Sequence, residues 1–109
     1  MSTTELPDLK RDYRAAFLRY LVGREEAPLH VGYEIGRSAV AGGLSILDIA
    51  QVHHDVLLEV LRDTPVHDVS GVGTAASEFL VEVLSTYDMA HKGFLGSGGA
   101  RPSAHYWSL

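Results

Sequence analysis

The chain has 109 residues, enough for about one small domain. Nine basic against fourteen acidic side chains leave a formal net charge of -5, which speaks against the basic face that non-specific nucleic-acid binding needs and against docking on an anionic membrane. There is no cysteine, so disulfides, thiolate metal sites and a cysteine nucleophile are excluded, and neither a bilayer-spanning apolar run nor the apolar stretch of a signal peptide is visible, which makes the cytoplasm the expected location.

Residues 1–7 are polar and are expected to be a flexible N-terminus. Asp8 is placed to cap a first helix over 9–22. Leu9, Tyr13, Ala16, Phe17 and Tyr20 recur at three- and four-residue steps and give it one apolar face, while Lys10, Arg11, Asp12 and Arg14 point away. Gly23 stands where a helix C-terminal glycine belongs.

Arg24, Glu25 and Glu26 are expected to form a short link or the first turn of a second helix, which tolerates Pro28 near its start and runs to about Ala41, with an inner face of Leu29, Gly32, Tyr33, Gly36, Ala39 and Val40. Two glycines inside a helix cost about 1 kcal/mol each relative to alanine. The expected compensation is close approach of another helix across Gly32 and Gly36; the alternative is that they simply weaken the helix. Gly42-Gly43 breaks the chain before the next element.

Ser45 to Arg62 is the stretch around which the chain is organised. Read at 100° per residue, its polar residues Asp48, Gln51, Asp55, Glu59 and Arg62 fall in a strip about 80° wide. The rest is apolar or histidine. A surface helix needs one apolar stripe, so this one is expected to be covered by several neighbours, in the monomer or across a dimer. Ser45 is its expected N-cap, Asp48 adds favourable negative charge to its first turn, and Thr64-Pro65 ends it. The seam is expected along Ile46, Ala50, His53, Leu57 and Val60.

Residues 63–73 are rich in turn formers and read as a loop. A fourth helix is expected over 74–94, with Ala76, Phe79, Leu80, Val83, Leu84, Tyr87, Ala90 and Phe94 inside. Val81 and Met89 stand among its polar residues, which hints at a contact surface. Residues 96–109 read as a Gly-, Ser-, Ala- and Pro-rich flexible tail. His105, Tyr106 and Trp107 on it have no role or form a short docking segment. No period-two strand pattern appears. The fold class is therefore all-α, a four-helix bundle over residues 8–95, with dimerisation expected to complete its core.

Nothing in the sequence demands catalysis. His53-His54 point about 100° apart on a helix and cannot chelate one metal in the usual way. His53 is expected to be a buried histidine bonded to a backbone group or a tyrosine hydroxyl, with burial favouring its neutral form. His30 and Glu34 are four apart and can meet on a helix flank, where they form a solvated pair or two ligands of an incomplete metal site. Glu34 and Arg37 are a further candidate pair. His91 needs no special role. No nucleophile elbow occurs, and the glycine clusters follow no strand. A small histidine-based metalloprotein or enzyme, and a purely structural dimerisation module, are the competing readings.

Three segments carry a family likeness: YRAAFLRYL in the first helix, LHVGYEIGRSAVAGG running into SILDIAQVHHDVL, and FLVEVLSTYDMAHKGF in the fourth. Together, over about residues 12–95, they resemble the N-terminal domain of RsbU-type PP2C phosphatases, which act in bacterial stress-response sigma-factor regulation by partner switching. The resemblance implies a four-helix domain that forms a homodimer and binds a switch kinase of the RsbT type. It also implies a partner surface from the start of helix two and the outward side of helix four, hence Glu26, His30, Val81 and Ser85. The helical wheel adds Met89. No cofactor is implied. Phosphatases of this type continue into a catalytic domain with metal-binding aspartates. This sequence stops at Leu109, and the expectation is a free-standing, non-catalytic form of the binding domain.

Overall fold

The computed structural model describes residues 6–96. Over that span the chain folds into α1 (Leu6–Gly23), α2 (Glu26–Ala41), α3 (Ile46–Arg62), a 3-10 turn (Val66–Asp68) and α4 (Val69–Gly96). No strand occurs among the described residues, and the all-α bundle expected from the sequence is what forms. None of these helices is long and apolar enough to cross a membrane. The expectations for residues 1–5 and for the tail beyond Gly96 lie outside the described residues.

α1 and α4 each pack against the other three helices, whereas α2 and α3 lie on either side and pack chiefly on α1 and α4. The core is the set of faces turned towards that central pair. Leu9, Tyr13, Ala16, Phe17 and Tyr20 of α1 are all buried, as their spacing predicts. They meet Phe79 of α4, whose ring lies edge-on to Tyr13 with centroids 5.1 Å apart.

The helix starts need two corrections. α1 begins at Leu6, so Asp8 is not its cap. It lies in the first turn, where negative charge suits the helix dipole, and pairs with Arg11 at 3.2 Å. The stretch 63–73 is not a loop throughout, because α4 already starts at Val69. Turn-former counting misses this: Gly71 and Gly73 are tolerated in a helix whose next residues, Ala75 and Ala76, dock fully in the core.

The helix joints follow elementary capping chemistry. Ser45 and Asp48 form a reciprocal capping box, the Ser45 hydroxyl accepting from the Asp48 N–H and the Asp48 carboxylate from the Ser45 N–H. α2 ends in a Schellman motif: Gly43 takes φ 78°, its N–H donates to the Val40 carbonyl, and the Leu44 N–H donates to the Ala39 carbonyl. At the α1 end the left-handed residue is Arg24 (φ 54°), not Gly23. That conformation costs a non-glycine residue about 1–2 kcal/mol.

Gly32 and Gly36 are where α2 and α4 touch. A Cβ on Gly32 would stand 3.0 Å from Phe79 Cε1, and one on Gly36 would fall on Thr86 Oγ1 and the Val83 carbonyl oxygen. Close approach, not helix weakening, is the reason for both glycines. Both contacts advance together along α2 and α4, so these helices run parallel. Val83 and Thr86 complete this seam from α4, while Leu29, Tyr33 and Val40 are only half-buried. The side chain of Phe94 lies outside the described ones.

α3 is rotated from its expected setting. Its buried line is Ile49, Val52 and Val56. His53, Leu57 and Val60 are half-buried at the margin of that line, and Ile46 and Ala50 are exposed. The wheel alone could not choose between adjacent flanks of a helix that is apolar over most of its circumference. In this setting Asp55 and Glu59 come beside Lys10 and Arg14 of α1, with Arg14 on Glu59 at 3.0 Å.

Candidate partner-binding surface

The five residues singled out from sequence all lie on the outside of α2 and α4. Glu26 opens α2 and is exposed. One turn on, His30 places Nε2 3.5 Å from Glu34 and stacks its ring on Tyr33, centroids 5.6 Å apart and planes 11° from parallel. On α4, Val81, Ser85 and Met89 follow one another at four-residue steps and make one exposed stripe about 12 Å long. Val81 is 60% exposed and Met89 58% exposed. Large side chains left this open among polar neighbours gain nothing from the fold of the single chain.

A shallow cleft of about 220 Å³ joins the two helices on this side, lined by Tyr33, Arg37, Thr86, Met89 and Ala90. It brings Met89 together with α2, and through Tyr33 it reaches His30. Val81 and Ser85 stand beside this cleft, not in it, and no described contact joins Glu26 to the other four. The cleft residues that sequence reasoning missed are Tyr33 and Ala90, both assigned there to inner faces, together with Arg37 and Thr86. For Tyr33 and Arg37 the signal is their spacing with His30, which puts all three along one side of α2. Glu34 pairs with His30 rather than with Arg37.

The other histidines do different work. His53 Nδ1 is hydrogen-bonded to the Tyr13 hydroxyl at 2.8 Å, the second of the two kinds of partner expected for it. Burial, with a smaller contribution from His54, pushes its pKa below the ordinary histidine value. Burial likewise raises that of Tyr13, so both groups are neutral near pH 7. His91 is exposed and stacks on Tyr87, centroids 5.7 Å apart. Tyr87 itself donates to the Leu44 carbonyl at 2.8 Å and ties α4 to the α2–α3 turn. Among the described residues, no three His, Asp or Glu side chains converge as metal ligands.

One more surface stands out. α3 turns Ile46, Leu47, Ala50 and Leu58 to the outside, with Leu47 75% exposed and Ile46 48% exposed. Together with half-buried Leu57 and Leu61, these form a flank along the whole helix that is apolar apart from exposed His54.

The bundle thus carries one open apolar flank on α3 and one mixed apolar and polar face on α2 and α4. The chain belongs to the family of the phosphoserine phosphatase RsbU, N-terminal domain, whose model matches residues 11–90. That span covers most of α1, all of α2 and α3, and α4 as far as Ala90. The matched unit is the regulatory part of such phosphatases and not the catalytic part. Neither the curated proteins nor the solved structures yield a significant match to the chain.

Proposed function

We propose that this domain is a non-catalytic docking module of a partner-switching pathway, which forms a homodimer and binds a serine kinase of the RsbT type. The family match over residues 11–90 carries the reading. The α2–α4 face supplies the docking surface, with Val81 and Met89 as apolar anchors, Ser85 between them, and Glu26 and His30 as polar contacts on α2. Apolar anchors inside a polar rim are the usual anatomy of a reversible interface. α3 supplies the homodimer contact through Ile46, Leu47 and Leu58. A second copy of the same flank is the natural cover for a helix apolar on both of these sides, since two-fold dimers pair identical patches.

Light scattering after size exclusion tests both parts. The chain alone should elute with the mass of a dimer, and addition of an RsbT-type kinase encoded alongside it should give a larger complex. Val81→Asp and Met89→Asp should abolish that complex and leave the dimer intact. A monomer that binds no such kinase, under conditions where a known pair binds, would end the proposal.

A further inference from the structure

Gly71 and Gly73 sit in α4 for a different reason from the glycines of α2. A Cβ on either would meet nothing within 4 Å. Packing therefore does not require them, and in a helix they only lower its stability. The stretch that contains them is held weakly elsewhere too. Every residue from Pro65 to Gly71 is exposed, with Val66 90% exposed, and full burial begins only at Ala75.

Two side chains hold this stretch to the bundle, half-buried Val72, which packs against the core, and Arg24. Arg24 Nη2 donates to the Gly71 carbonyl at 2.9 Å and its Nη1 to Glu78 Oε1 at 3.0 Å. The guanidinium lies over the Tyr20 ring, 5.8 Å from its centroid, and the Tyr20 hydroxyl donates to the same Glu78 oxygen at 2.8 Å. Arg24 makes these contacts from left-handed backbone, a conformation a non-glycine residue keeps only where its surroundings hold it. One strained residue in the α1–α2 turn thus clamps the end of α1 to the first turns of α4.

We infer that Val66–Thr74 is a latch that opens while the rest of the bundle stays folded, and that Arg24 closes it. Local opening is expected where helix is glycine-bearing, solvent-exposed and fixed by few contacts. The closed latch also fixes the turn from which Glu26 starts α2. On the docking reading given above, the closed form is the one that binds the kinase.

Hydrogen exchange on the full chain tests the latch without any partner. The informative amides are Gly73, Thr74 and Ala75, whose helical acceptors are the carbonyls of Val69, Ser70 and Gly71. They should exchange at least about 100-fold faster than those of Val83 to Tyr87, which report opening of the core. Arg24→Gly, which suits the left-handed backbone and removes the clamp, should speed the first set about tenfold and leave the second unchanged. Gly71→Ala should slow the first set about fivefold, the gap in helix propensity between alanine and glycine. Equal exchange of both sets in the natural chain, or an Arg24→Gly chain whose first set does not quicken relative to its second, would overturn the latch. In the kinase arm, Arg24→Gly should weaken docking of the RsbT-type kinase about tenfold. Undiminished binding with faster exchange would overturn the coupling alone. No binding even by the natural chain would remove the docking reading, while the exchange result still decides the latch.

Discussion

α2 and α3 occupy equivalent places, one on each side of the α1–α4 pair, yet they meet it differently. α2 brings glycine to the contact and comes so near that backbone touches backbone at Gly36. α3 brings Ile49, Val52 and Val56 and is held off by their bulk. Close approach gives α2 most of its packing against α4, so its outward side is free to be mixed and polar. α3 keeps a second apolar side that the single chain leaves uncovered. The contact residue type thus determines which helix is finished within the monomer and which is left for another chain.

The sharpest way to break this contrast is to fill the glycine contact. Gly36→Leu should lower stability by about 3 kcal/mol or more, the upper end for overpacking, because the obstacles are backbone atoms of Val83 and Tyr87 that cannot swing aside. For a domain of this size that is about 12 °C or more in melting temperature. Gly32→Leu should cost less, since the Phe79 ring is the nearest obstacle and a ring can shift. Equal melting of the Gly36→Leu and natural chains would mean that α2 and α4 do not touch there.

On the α3 side the test is one of rotation. Ile49→Ala should cost about 2–5 kcal/mol as a buried large-to-small change. Leu57→Ala, at a half-buried position, should cost about 1 kcal/mol. The reverse order in chemical denaturation would restore the seam along Leu57 and Val60.

These two helices also show what the sequence could and could not convey. The face of α1 was legible to the residue, because Leu9, Tyr13, Ala16, Phe17 and Tyr20 recur at three- and four-residue steps. Gly32 and Gly36 could be read as a contact, since a helix does not carry two costly glycines without return. The Ser45 cap was legible because a short hydroxyl chain has few other uses there. The rotation of α3 was not, since its polar strip leaves a wide apolar arc, and the choice within it depends on packing against α1 and α4, which are distant in sequence. The start of α4 was hidden by glycines that the eye takes for a loop. The α2–α4 cleft was hidden because Tyr33 is amphipathic and reads as core until its neighbours are known.

A smaller effect is expected where α3 faces outward. Leu47→Asp should leave monomer stability within about 0.5 kcal/mol, as for other exposed positions. In light scattering the same change should halve the mass of the proposed dimer, because a charge on each copy would be buried against its mate. A mass unchanged by Leu47→Asp would move the dimer contact elsewhere.

The smallest expected effect is one of pH, and it belongs to the margin between the two sides of α3. His53 is half-buried against Tyr13, and burial favours its neutral form. Its pKa is therefore lower folded than unfolded. Above the unfolded value of about 6.5 the ring is neutral in both states, and its contribution to stability is fully present. Below that value the unfolded chain takes up a proton that the folded one resists. Stability is lost as pH falls through the folded pKa. Chemical denaturation from pH 7.5 down to 5 should show this loss, and His53→Gln should flatten it without removing the slope that the carboxylates add at lower pH. An identical pH dependence in the two chains would mean that His53 is solvated, and that the α1–α3 contact opens as readily as the outer flank of α3.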